Sequence, residues 1–319
     1  MNNIKNITIA FCEGPHDTAF LYRILKTRCF ESFKNSLNEL PIVVGDFIIS
    51  KNKMVEYNKL KIDSLRNDFV PYKIMYKDEE LILLYSLGGD KDNRDDDRNK
   101  RLIILKHFFE NIKSQVEDDS NFGDSFILEN KNQEAYYYNF LFFYDADENK
   151  NEKINIINKY LEKMHIDENL SHNKIIKKEG YAIGAYIFSN ENDIGALEDV
   201  LFELMKKENE TIFNEAEKYY KRYLDKDRTK RLVTECFDGS PRDKRKDKKQ
   251  EDEKKSVICI AGQLQKKGKS NVVIIEDSDY LNLEKIQSSQ QLQEIADLFD
   301  KISRGQVNVI KSPKIIHTS

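Results

Sequence analysis

The run Tyr137-Tyr-Asn-Phe-Leu-Phe-Phe-Tyr144 stops abruptly at Asp145-Ala146-Asp147, and no other stretch constrains the fold as much. Eight uncharged residues, mostly aromatic, are too few for a buried helix and read as a strand buried on both faces. A strand of that kind needs helices packed on either side of its sheet. The carboxylates that end it lie where the chain leaves the core.

The same grammar recurs along the chain. Ile7–Cys12 is a short β-branched and aromatic run that stops at Glu13-Gly14-Pro15, after which Phe20, Leu21, Ile24 and Leu25 fall on one helical face. Pro41–Val44 and Phe47–Ile49 read as short strands. Tyr72–Tyr76 and Leu81–Leu87 read as a hairpin across Lys77-Asp78-Glu79 that ends in Gly88-Gly89. A charged stretch from Asp90 to Lys100 precedes a helix carrying Leu102, Ile103, Leu105, Phe108, Phe109 and Ile112. Residues 116–135 are polar and read as a loop. After Asp147 come a helix (Ile154, Ile157, Tyr160, Leu161, Met164), a strand (Tyr181–Phe188) and a helix from Gly195. Strands alternating with helices predict an α/β fold with a mainly parallel sheet flanked by helices.

Beyond residue 206 the chain turns helical and charged. Segment 241–255 holds eight basic and five acidic side chains and no apolar one, the pattern of a mobile, solvated stretch. An apolar helix (Val257, Ile258, Ile260, Ala261, Leu264), a strand (Val272–Ile275) and a closing helix (Leu292, Ile295, Leu298, Phe299) are expected to pack back on the sheet.

Composition narrows the function classes. Of the 319 residues, 39% are hydrophobic and 34% charged, wetter than the average domain yet able to build a core. No apolar run approaches the ~18–20 residues of a membrane span, and the N-terminus lacks a secretory pattern. Four cysteines without CxxC spacing fit reduced thiols in a cytoplasm. The net charge of −4 gives no global attraction to nucleic acid, so any such binding must be local.

Glu13, Asp145 and Asp147 each follow a strand directly, and Asp17 lies on the first turn of the next helix. In an open parallel sheet such positions line the ligand crevice beyond the strand carboxyl ends. Carboxylates converging there repel unless a cation holds them, and hard oxygen donors suit Mg²⁺ or Mn²⁺. With Gly88-Gly89-Asp90 between them and Gly195-Ala196-Leu197-Glu198-Asp199 after them, these motifs occur in an order that resembles the toprim domain. That domain is shared by type IA and II topoisomerases, DnaG-type primases, OLD-family nucleases and the ribonucleases that mature 5S RNA. The resemblance covers residues 5–205. It implies a toprim-like catalytic domain over 1–205, with an inserted hairpin and helix in 31–80 and 116–135, and a helical C-terminal extension over 206–319. It implies Glu13 as metal ligand or general acid/base, Asp145 and Asp147 as metal ligands, and Asp17 and Glu198 completing a second metal site. The long interval from Gly89 to Asp145, and Pro15 after Gly14, depart from the family pattern.

Two divalent ions about 4 Å apart clamp the attacking and leaving oxygens of a phosphodiester. A basic residue would offset charge on the phosphorane, with Lys255 and Lys269 as candidates. Weighed against this, an isolated DxD is more often a turn, His16 more often an exposed helix start, and the Tyr136–Tyr138 cluster packing rather than a base-stacking platform. His107, His165, His172 and His317 have no ligand spacing, and Cys12 reads as core. Gly262–Ser270 resembles a P-loop but has five residues between its glycines, follows a helix and precedes an expected strand, so ATP binding is rejected. The expected function is a Mg²⁺-dependent endonuclease acting on DNA or RNA, tRNA included. No catalytic tyrosine domain fits a topoisomerase, and no zinc module fits a primase. The resemblance also implies a separate ABC-type ATPase partner and a bacterial anti-phage role, and self-association is compatible with it. The alternative is a non-catalytic nucleic-acid-binding or scaffolding module holding a structural cation.

Overall fold

The computed structural model describes residues 4–52, 69–88, 99–120, 136–224 and 251–303. At its centre is β5 (Tyr137–Asp145), buried at every position except the last. β1 (Asn6–Cys12) lies parallel beside it, pairing Asn6 with Tyr137 and Cys12 with Phe143. β4 (Glu80–Ser86) and β7 (Tyr181–Phe188) extend the parallel set on the two sides. The edges are antiparallel, with β3 (Lys73–Lys77) on β4, the short β2 (Glu31–Ser32) on β3, and β6 (Ile175–Lys178) on β7. The result is a mixed α/β fold on a seven-stranded sheet, ordered β2-β3-β4-β1-β5-β7-β6.

Alternation along the strands gives the sheet two apolar faces. Ile7, Ile9, Phe11, Phe140, Phe142 and Tyr144 point to one face, which α2 (Ile42–Asn52), α3 (Lys100–Ser120) and α4 (Lys150–Lys163) cover. Ala10, Cys12, Leu141, Phe143, Tyr186 and Phe188 point to the other. There α1 (Pro15–Thr27) and α5 (Leu197–Lys206) pack, together with α6 (Glu210–Tyr223), α7 (Glu251–Gly262), α8 (Asn271–Asp277), α9 (Leu283–Ser288) and α10 (Gln290–Ser303). Phe299 of α10 stacks on Phe143 with ring centroids 5.6 Å apart. Among the described residues no helix is long and apolar enough to cross a membrane.

Several local expectations are corrected. Pro41–Ile49 is not strand: α2 forms there, and its buried Val44, Phe47 and Ile48 have the i, i+3, i+4 spacing of one helix face. Burial against α3 outweighs the β propensity of the Val and Ile residues. Val272–Ile275 lies in α8, and Ile274 packs so tightly on Gly262 that a Cβ there would sit 2.4 Å from its Cδ1. Gly262–Ser270 therefore joins two helices. The expected strand after it is absent, and the P-loop reading fails on glycine spacing and on the helix before it. The expected loop 116–135 begins inside α3, which runs to Ser120, and 121–135 lies outside the described residues. Segment 241–255 is not uniformly a solvated stretch: residues 251–255 form the first turn of α7, while 241–250 lies outside the described residues. β2 and β6 were not anticipated, being edge strands of only two and four residues.

The order of the central strands decides where a site can lie. After β1 the chain crosses by α1 on one face, and after the adjacent β5 it crosses by α4 on the opposite face. Neighbouring strands whose helices leave in opposite directions open a crevice at their carboxyl ends.

Arg23 fastens the C-terminal helices to α1. Its guanidinium donates to the carbonyls of Glu276 (2.5 Å), Ser278 (3.3 Å) and Leu281 (2.9 Å), where α8 ends. A cation there also suits the negative end of the helix dipole. Arg23→Ala is expected to destabilise the protein by about 2–3 kcal/mol, since three carbonyls lose their partner. Urea unfolding checks this, and hydrogen exchange should rise first in α8 and the turn after it.

Candidate functional site

The crevice collects carboxylates from both sides. Glu13 follows β1, and Asp145 ends β5. Asp147 sits two residues on in left-handed backbone (φ 51°), and Asp17 and Glu198 lie in the first turns of α1 and α5. Asp17 and Glu198 are buried, at 4% and 2% exposure. The loop after β5 is pinned by main chain. Ala146 N–H donates to Phe188, Asp147 N–H to the Gly195 carbonyl at 2.8 Å, and Gly195 N–H back to Asp147 at 2.7 Å. Gly195 has φ 101°, and a Cβ there would fall 2.1 Å from Asp199 Oδ2, so only glycine fits.

Each acid has a protein donor. Gly14 N–H donates to Asp17 Oδ2 (2.7 Å), the capping geometry of α1, whose first residue is Pro15. Leu197 N–H, at the start of α5, donates to Asp145 Oδ1 (2.8 Å). Lys153 in the first turn of α4 bridges Glu13 Oε1 (3.2 Å) and Asp147 Oδ2 (2.7 Å). Glu198 Oε1 accepts from His16 Nδ1 (2.9 Å) and pairs with Lys255 (3.3 Å). Asp199 accepts Ala196 N–H (2.8 Å), capping α5, and holds Lys254 at 2.5 Å, so its role is structural.

These donors do not balance the charge. Burial pushes Asp17 up to about 7, helped by Glu198 and Glu13 and opposed by the Gly14 amide. Asp145 is pushed well above the carboxylate range by burial, then by Asp17, Glu13 and Glu198. Glu13 rises with burial despite Lys153. Glu198 alone among them falls below its ordinary value: burial would raise it, but His16 and Lys255 outweigh that. Mutual influence through space ties Glu13, Asp17, Asp145 and Glu198 into one group, and Asp147 acts on Glu13.

An all-oxygen donor set left short of positive charge suits a hard divalent cation. As the side chains stand, no three His, Cys, Asp or Glu among the described residues form a group able to hold a metal ion. They are turned to amides and ammonium groups instead of a common point.

Other residues singled out in the sequence fall elsewhere. Lys255 reaches the crevice through Glu198, whereas Lys269 is exposed in the loop between α7 and α8. Gly88 (φ 80°) ends β4, while Gly89, Asp90, Cys236 and His317 lie outside the described residues. Tyr136, Tyr137 and Tyr138 are buried packing residues, and the His107 ring packs tilted against Phe47. His172, lowered to about 4 by burial, accepts Ile187 N–H. His16 is a partner of Glu198, not a free helix start.

Two cations were missed. Lys153 has a signal in retrospect: a lysine in a helix's first turn opposes the helix dipole and needs another reason to be there. Arg101, buried at the start of α3, donates to the Gly88 carbonyl (2.5 Å), lies 5.1 Å from the Tyr144 ring centroid, and acts on Glu13 through space. Its neighbours in sequence carry no sign of this.

No curated protein matches the chain. A solved structure, hypothetical protein PH0156 from Pyrococcus horikoshii OT3, is similar at 13% identity over 93% of this chain and 95% of that one, with a TM-score of 0.44. The family described as "Protein of unknown function (DUF3226)" matches residues 8–303, and the chain belongs to it.

Proposed function

We propose that the protein is a divalent-metal-dependent nuclease whose site is the carboxylate crevice between β1 and β5. One observation carries the reading. Glu13, Asp17, Asp145 and Glu198 share one crevice, where burial first and the neighbouring acids after it push Asp17 and Asp145 up despite the lysines and helix N-termini around them. Perturbed acids clustered in a crevice are candidates for a functional site.

A divalent cation bound there would neutralise phosphodiester charge and acidify a water molecule. Glu13, Asp145 and Asp147 would hold it, and Asp17 and Glu198 a second. The amides of Gly14 and Leu197 orient Asp17 and Asp145, and His16 orients Glu198. Lys255, 36% exposed beside Glu198, can meet a phosphate oxygen at the rim of the crevice. The resemblance to OLD-like toprim proteins supports the same chemistry and is the sole support for an ATPase partner and an anti-phage role.

Cleavage of plasmid, single-stranded DNA and tRNA, each with Mg²⁺ and with EDTA, tests the reading. Glu13→Ala and Asp145→Asn should each reduce the metal-dependent rate by ~10²-fold or more, with unchanged circular dichroism. Wild-type rates in both variants would place the activity elsewhere and favour the scaffolding module.

A melt in EDTA tests the electrostatics. Asp17 is raised in the folded state from 3.8 to about 7, so its contribution is most favourable below pH about 4 and is lost as pH rises through about 7. Asp17→Asn keeps an acceptor for the Gly14 amide and removes the charge. Its melting temperature should therefore gain on wild type from pH 5 up to about pH 7 and level off above that. A constant difference would mean Asp17 titrates normally.

A further inference from the structure

Lys153 occupies the place the proposed function gives to a metal ion, and the role assigned to it here rests on that reading. Its ammonium joins the carboxylate that follows β1 to the one in the loop after β5, at 3.2 Å and 2.7 Å. Its side chain is only 14% exposed and is drawn into the crevice. The packing of α4 does not call for it: the helix is anchored by Ile154, Ile157, Tyr160 and Leu161 on the sheet face. The dipole of α4 opposes it. The contact is thus made with the two carboxylates, one from each side of the crevice.

An ammonium and a divalent cation cannot share the same two oxygens, because their charges repel at contact distance. The geometry points to Lys153 as a resident counter-ion that holds Glu13 and Asp147 until a divalent cation displaces it, and that then turns to the phosphate of the nucleic acid. Its flexible four-carbon stem allows that exchange without moving α4, whereas an arginine's planar fork would stay on both carboxylates. The ion and the phosphate then help each other bind, since the phosphate offers Lys153 an anionic partner in place of the carboxylates the ion takes, and the coupling is reciprocal. Metal binds weakly to the protein alone and more tightly with a phosphodiester present. Lys153 thus keeps the crevice closed to metal until substrate arrives.

Mn²⁺ binding to the metal-free full chain, read by electron paramagnetic resonance, tests this on wild type, Lys153→Met and Lys153→Arg. Each is measured alone and with a phosphorothioate oligonucleotide of the deoxy or the ribo series. Lys153→Met is expected to bind Mn²⁺ on the order of tenfold more tightly than wild type, and Lys153→Arg no more tightly. The oligonucleotide should tighten Mn²⁺ binding by wild type and do so much less for Lys153→Met. Should Lys153→Met fold poorly, Lys153→Gln serves, with thermal melts in EDTA as the check. Equal or weaker Mn²⁺ binding by the Met and Gln variants overturns the counter-ion role and leaves the metal reading standing. Equal tightening by oligonucleotide in wild type and variant overturns the transfer to phosphate. If neither wild type nor variant binds Mn²⁺, the metal reading falls, and this inference with it.

Discussion

β1 and β5 lie side by side and parallel, and the helices that follow them leave toward opposite faces of the sheet. That arrangement opens a crevice at the carboxyl ends of the two strands. Glu13 stands on one lip and Asp145 and Asp147 on the other, although 132 residues separate Glu13 from Asp145 in the chain. β7 and α5 then bring Glu198 to the same place, and α1 brings Asp17. A helix leaving β5 on the other face would cover the crevice.

Gathering carboxylates in one crevice works against folding, and the surrounding structure offsets this in three ways. Helix N-termini supply amides, Gly14 to Asp17 and Leu197 to Asp145, at the positive ends of α1 and α5. Cations arrive from other elements, Lys153 from α4 and Lys255 from α7. Protons take up part of what remains, since burial and then the neighbouring acids push Asp17 and Asp145 up. The C-terminal helices contribute here as well as to the core: α7 carries Lys254 to Asp199 and Lys255 to Glu198, and Arg23 fixes the turn after α8 against α1. The acidic end is thus electrostatically tense while mechanically well held.

Much of the scaffold was legible because its signals are local. The uncharged run of β5, the strand–glycine–helix opening and the helix faces of α1, α4 and α10 need only neighbours in sequence to be recognised. α2 and α8 were not legible, because short runs of Val and Ile suit strand and buried helix alike, and the choice fell to α3 for one and to the Gly262 surface of α7 for the other. Of the site, the acids could be singled out by their position after strands. Lys153 offered only its place against the α4 dipole and Arg101 offered nothing, since a lone basic residue does not tell which distant group it will meet.

By itself the sequence determined the α/β grammar and the places where strands end in acid, because burial and turn chemistry act over a few residues. Tertiary structure alone decided that β1 neighbours β5, that the crossovers diverge there, and that the acids face a lysine. Those outcomes depend on strand order and on charges meeting across the fold, and both are set by the packing of segments distant in the chain.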